Sequence, residues 1–144
     1  MNGTRRRGTS ARPDSGNSAV EFALVAPVLL VIVLGTMVFG LYFGVAHSVQ
    51  QLASEAARAA VPGLTEQERG ALARRFVAES IGSYGLLRAS SLTVTAAFDP
   101  ADPDLFRVTL VYDASGLGLS LFAALLPVPI ERVERRAVVR RGGA

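Results

Sequence analysis

The sequence of 144 residues contains no cysteine and no tryptophan, and His47 is its single histidine. Without cysteine there is no disulfide scaffold and no thiol catalysis. One histidine cannot form a histidine cluster, and the chain also lacks a glycine-rich phosphate loop and a nucleophile paired with a recognisable base. The sequence therefore predicts no enzyme, no cofactor and no metal site.

Charged residues are absent from residues 22–46, a mostly apolar run. A bilayer core of roughly 30 Å is crossed by about 20 apolar residues in a helix that rises 1.5 Å per residue. In hydrocarbon a single span has to be an α-helix, because its backbone groups must pair within the segment. A buried helix of a soluble protein would show a polar face, which this run lacks. We therefore predict a transmembrane helix.

The orientation of this span follows from the charges beside it. Four arginines precede the run, whereas the next charged residues after it, Glu55 and Arg58, have opposite signs. The positive-inside rule then predicts a single-pass protein of the inner membrane, with a cytoplasmic N-terminus and a periplasmic or extracellular C-terminal domain.

The sequence pI of about 10.2 would suit a nucleic-acid-binding protein, but the position of the charges argues against one. The four arginines at positions 5, 6, 7 and 12 and Asp14 all precede Gly16. A cut after Gly16 would leave 11 of the 15 basic and 11 of the 12 acidic residues. The chain that remains would be formally neutral, so we expect no nucleic acid among its partners.

Two other export signals fit less well. A secretory signal peptide cut after Ala46 would have an apolar core of 7 to 15 residues, and the run here is longer. A twin-arginine signal does not fit Arg5, Arg6 and Arg7, because polar residues separate them from the apolar run. A signal-anchored periplasmic binding module that never enters a filament remains the alternative function.

The residues around the span resemble a known family. Residues 16–27 read GNSAVEFALVAP, and residues 52–60 read LASEAARAA. Together they resemble the TadE-like minor pseudopilins of the tight-adherence (Tad/Flp) pilus, a type IV-like system. The resemblance implies a pilin-like subunit that acts in pilus assembly, adhesion or secretion. It also implies cleavage between Gly16 and Asn17 by a prepilin peptidase, and it gives other pilin-like subunits and Tad assembly proteins as partners.

Four further positions along this segment have predicted roles. By resemblance, the carboxylate of Glu21 pairs with the free amine of Asn17 in a neighbouring mature subunit; a solvated glutamate that merely ends the span is the alternative. Pro27 removes one backbone N–H, so a helix kink is expected there. Gly40 and Gly44 form a GxxxG pair, which permits close helix packing.

The remaining sequence predicts an α+β fold. We divide the chain into a basic leader at 1–16, a transmembrane and extended helix at 17–61, and a small exported domain at 62–144. In that domain Thr65 and Glu68 form a capping box for an amphipathic helix. Alternating apolar residues predict strands at 92–98, at 106–112 and within 130–140, which form a three-stranded antiparallel sheet.

Residues 99–104 join the first two strands. The apolar segment 116–129 covers the sheet, touches the membrane or docks a partner; packing in the core is our default.

Overall fold

The computed structural model of the protein describes residues 15–117 and 131–140, and their side chains from residue 18 onward. In chain order its elements are helices α1 (Ser15–Ala59) and α2 (Glu66–Ser80) and strands β1 (Leu92–Asp99), β2 (Asp102–Asp113) and β3 (Arg132–Arg140). The predicted α+β class and its element order are confirmed. Residues 1–14 of the predicted leader and most of the apolar segment 116–129 lie outside the described residues.

Helix α1 is 45 residues long and belongs to both compact units of the chain, Met1–Thr36 and Met37–Ala144. The helix begins at Ser15, two residues before the predicted start at 17, and it ends at Ala59, two residues before the predicted end at 61. Its end is a turn in which Val61 N donates to Arg58 O and Gly63 N donates to Ala60 O, each at 3.1 Å. Pro62, between them, has no N–H to extend the helix.

Helix α2 begins with the predicted capping box. Glu68 N donates to Thr65 Oγ1 at 3.2 Å, and Thr65 N donates to Glu68 Oε2 at 3.3 Å. These two bonds satisfy backbone donors that the first turn of a helix leaves unpaired. Ala73 and Val77 are buried on the predicted inner face, and Ile81 extends that face beyond the helix.

The sheet is antiparallel, with the order β1-β2-β3. Its central strand alternates fully buried residues with half-buried ones, because only one face is covered by the rest of the domain. Phe106 pairs with Phe98 of β1 and with Val139 of β3, which fixes the register. The turn between β1 and β2 is shorter than the predicted 99–104, because Asp102 already lies in β2.

The core of the second unit joins three layers: the C-terminal half of α1, helix α2 and the inner face of the sheet. Among the described residues the four largest fully buried side chains come from α1 and β2, and they are Leu52, Phe106, Leu110 and Tyr112. Helix α1 also contributes the fully buried Ala53 and Ala56, and the fully buried Ala60 follows directly after its end. Small residues on this face let the neighbouring elements approach the helix backbone closely.

Candidate functional site

The N-terminal half of α1 exposes its apolar side chains on all sides. From Ser18 to Val33 every residue except Ala26 is exposed, and large apolar side chains such as Phe22 and Ile32 are among them. This helix is long and apolar enough to cross a membrane, in agreement with the predicted span. Without lipid or neighbouring helices, so much apolar surface would face water.

Glu21 lies in α1 at the N-terminal end of this exposed surface. Its side chain is exposed, and it has no ion pair or hydrogen bond with another described side chain. Residues 15–17 are helical, so the predicted cleavage site at Gly16 and Asn17 lies in the first turn of α1. The carboxylate is therefore accessible from outside the chain.

Pro27 lies inside α1, and the helix continues on both sides of it. The kink predicted at this proline stays a prediction.

The two glycines of the predicted packing pair have different surroundings. A β carbon at Gly40 would meet nothing within 4 Å, so this position is open to another helix. A β carbon at Gly44 would lie 2.9 Å from Leu86 Cδ1 of the same chain. Gly44 thus makes room for its own domain, which the sequence alone did not indicate. A packing role between subunits stays a prediction for the pair.

From Val38 onward one face of α1 is buried. Val45, Val49 and Leu52 continue this buried face along the helix. At its polar edge the Tyr84 hydroxyl donates to Glu55 Oε2 at 3.0 Å. Burial, and then this hydrogen bond, raise the pKa of Tyr84. This hydrogen bond thus connects the second half of α1 to the loop after α2.

The sequence profile of the TadE-like protein family matches residues 16–58. This segment is a TadE-like domain. Comparison with curated proteins and with solved structures gave no significant match. TadE-like proteins are pilin-like proteins related to the Tad pilus and are generally structural rather than enzymatic. The TadE-like domain begins at Gly16 and coincides with nearly all of α1, so it contains the exposed apolar segment and Glu21 but neither α2 nor the sheet.

Outside the TadE-like domain, Arg69 of α2 is a buried cation that the sequence analysis missed. Its side chain is only 5% exposed, and Nε donates to Gly63 O at 2.8 Å. The guanidinium carbon lies 6.0 Å and 5.8 Å from the ring centroids of Phe98 and Phe106. Its Nη1 has no hydrogen-bond partner among the described residues. The contacts tie the turn after α1 to the sheet, which is a structural role.

The acidic residues near the sheet ends also have structural partners. Asp99 forms an ion pair with Arg107, and its other oxygen accepts a hydrogen bond from Ala101 N at 3.0 Å. Asp113 accepts a hydrogen bond from Ser115 N at 2.9 Å, and hydrogen bonding to Ser115 lowers the pKa of this carboxyl. Within residues 15–117 and 131–140, no three histidine or acidic side chains cluster as a metal site would require.

Proposed function

We propose that this protein is a pilin-like structural or assembly subunit of a Tad-type pilus and that a prepilin peptidase cuts it between Gly16 and Asn17. The observation that carries the proposal is the extent of the TadE-like domain, which begins at Gly16 and follows α1. Residues 1–16 are then a basic leader that is removed.

The exposed apolar half of α1 supports an assembly role. A span held only by lipid and a helix packed among other subunits both need apolar side chains around the whole circumference. From Ser18 to Val33 the helix has such a surface, because every residue except Ala26 is exposed. The same surface therefore suits the membrane before assembly and neighbouring helices afterwards.

The position of Glu21 supports the proposed cut. A carboxylate close to hydrocarbon is costly unless a cation or hydrogen-bond donors neutralise it. Cleavage would create a positive amine on Asn17, one helical turn from Glu21 in the sequence. In an assembly of parallel helices the amine of one subunit would then neutralise the carboxylate of the next, and the pair would fix their relative height.

The first experiment is to determine the N-terminus of the protein extracted from membranes, by mass spectrometry. We expect the mature chain to begin at Asn17, and a Gly16→Leu variant to keep its leader because the peptidase no longer accepts the residue before the bond. A wild-type chain that begins at Met1 or at His47 would overturn the proposal. The first of these results favours a signal-anchored module, and the second favours a conventional signal peptide.

The second experiment tests the carboxylate by removing its charge without changing its size. Glu21→Gln should abolish incorporation of the subunit into sheared pili or assembly complexes, whereas Glu21→Asp should restore part of it. Glu66→Gln is the matched control, since Glu66 is an exposed carboxylate of the exported domain. Equal incorporation of the Glu21→Gln and Glu66→Gln variants would remove Glu21 from the mechanism.

A further inference from the structure

The two edge strands of the sheet differ in how well they are protected against pairing with a further strand. The order β1-β2-β3 leaves β1 and β3 each with one neighbouring strand among the described residues. Strand β3 carries charged side chains along its length, namely the arginines at 132, 135, 136 and 140 and Glu134. Charged side chains are one of the features that keep an edge strand from adding another strand.

Strand β1 lacks this protection. The range Leu92–Phe98 contains no charged residue and no proline, and its antiparallel pairing with β2 is regular throughout. Thr93 and Thr95 are exposed on one face of the strand, while Val94 is half-buried on the other. A regular, uncharged edge strand presents backbone N–H and C=O groups that can bind an additional strand.

A groove runs beside this edge, between β1 and helix α2. A cavity of about 440 Å³ lies between the C-terminal half of α2 and the first half of β1, and apolar side chains such as Val77 and Val94 line it. A second cavity, of about 590 Å³, lies at the N-terminal half of α2, where Gly70 and Ala96 line it. Arg74 lines both cavities. The groove therefore has room for the side chains of an added strand and has a cation at its middle.

This cation has no partner among the described residues. Arg74 is exposed, and its side chain forms no ion pair or hydrogen bond with another described residue. The guanidinium lies against Gly70, because a β carbon built there would be 3.2 Å from both Nη atoms. Arg75, by contrast, is paired with Glu79 at 2.7 Å. A carboxylate that entered the groove would thus meet an arginine whose hydrogen-bond donors are not used within the described chain.

The position of Arg74 disfavours a second copy of this chain as the occupant. Arg74 lines the cavities beside Val94 and beside Ala96, so it lies level with Thr95, the centre of the range Leu92–Phe98. Two β1 strands paired antiparallel about this centre would bring both copies of Arg74 to the same level. Like charges placed opposite each other are destabilising, whereas an acidic strand has the complementary charge.

We propose that the groove between α2 and β1 binds an extended segment of a partner protein, which adds to the sheet as a fourth strand beside β1. On the face toward α2 this segment has apolar side chains and one carboxylate, which binds Arg74. Main-chain hydrogen bonds to β1 give affinity, and the pattern of apolar and acidic side chains gives specificity. The inference depends only on β1 and α2 of the second compact unit, so it and the proposed cleavage and pilus assembly can fail independently.

The test uses the synthetic peptide Thr-Val-Thr-Glu-Thr-Val-Thr and the full chain in detergent micelles. In an extended peptide the glutamate and both valines share one face. Binding is measured by fluorescence anisotropy of the labelled peptide, and amide hydrogen exchange in β1 is followed by NMR. We expect this peptide to bind several-fold more tightly than the same peptide with lysine at its centre. It should also slow exchange at the amides of β1 that point away from β2.

Two variants show whether the preference arises in the groove. Arg74→Gln should remove the preference for glutamate over lysine, whereas Arg75→Gln, the matched control outside the groove, should keep it. No saturable binding of the glutamate peptide, equal binding of the two peptides to the wild type, or an unchanged preference in Arg74→Gln would overturn the proposal. Slow exchange of the outward-pointing β1 amides without peptide would also overturn it, because the edge would then be covered by the chain itself or by a second copy.

Discussion

The two halves of α1 belong to one helix but differ in what surrounds them. In the N-terminal half, large apolar residues such as Ile32 are exposed around the circumference. In the C-terminal half one face is buried, and Leu52 and the alanines at 53 and 56 have no exposed surface. The first half therefore depends on lipid or on other subunits for its apolar contacts, and the second half finds them within its own chain.

We infer from this difference that the two halves of the helix have separable roles. Residues from Val38 onward pack in the core of the second compact unit, and the alanines among them suit close packing within the chain. Residues 18–33 are exposed, apart from Ala26. Changes in the two halves should consequently affect different properties, the stability of the domain in one case and membrane insertion in the other.

The largest effect on the second half is expected from Leu52→Ala. Removing a fully buried leucine side chain leaves a cavity and lowers the free energy of unfolding by about 2–5 kcal/mol. The measurement is chemical unfolding of the full chain in detergent micelles, followed by circular dichroism. Gln51→Ala, at the neighbouring exposed position, should change the free energy by about 0.5 kcal/mol or less. Similar losses for the two variants would contradict the assignment of this face to the core.

The corresponding change in the first half is Ile32→Arg. Ile32 is 59% exposed near the middle of the apolar segment, where an arginine costs about 2.5–3.5 kcal/mol of insertion free energy. We expect a larger fraction of the protein to be extracted from membranes by alkaline carbonate, with unchanged unfolding of the domain. Ile32→Leu is the control and should stay in the membrane pellet. If Ile32→Arg instead destabilised the domain, the two halves would not be independent.

Much of this fold was predictable because its local signals agree with its packing. The capping box of Thr65 and Glu68 and the alternation of apolar residues in β2 each depend on neighbours in the sequence, and both are confirmed. The apolar segment could likewise be predicted, because a run without charged residues is recognised from the local sequence alone. The match at residues 16–58 confirms the family resemblance where these signals are strongest.

The features that the sequence did not reveal arise from contacts between distant residues. Arg69 is buried because it shares a helix face with Ala73 and lies over Phe98 and Phe106, which are 29 and 37 residues away in the chain. The sequence offered one indication of this burial, namely that Arg69 lies four residues before Ala73 and therefore on the same face of α2. Gly44 packs against Leu86, which no local pattern indicates. The roles of Gly16 and Glu21 stay predictions, because they require a peptidase and a second subunit.

The smallest expected effect tests how the second half of α1 is fastened to its domain, by Tyr84→Phe. This change removes the hydrogen bond to Glu55 and should lower the free energy of unfolding by about 1 kcal/mol near neutral pH. Because the folded-state pKa of Tyr84 is raised, its contribution is complete below the ordinary tyrosine pKa of about 10 and is lost as the pH rises through the folded-state value. Wild-type stability should therefore fall more steeply than that of Tyr84→Phe above about pH 10. Parallel pH profiles in unfolding experiments would show that the hydroxyl does not couple the loop to α1.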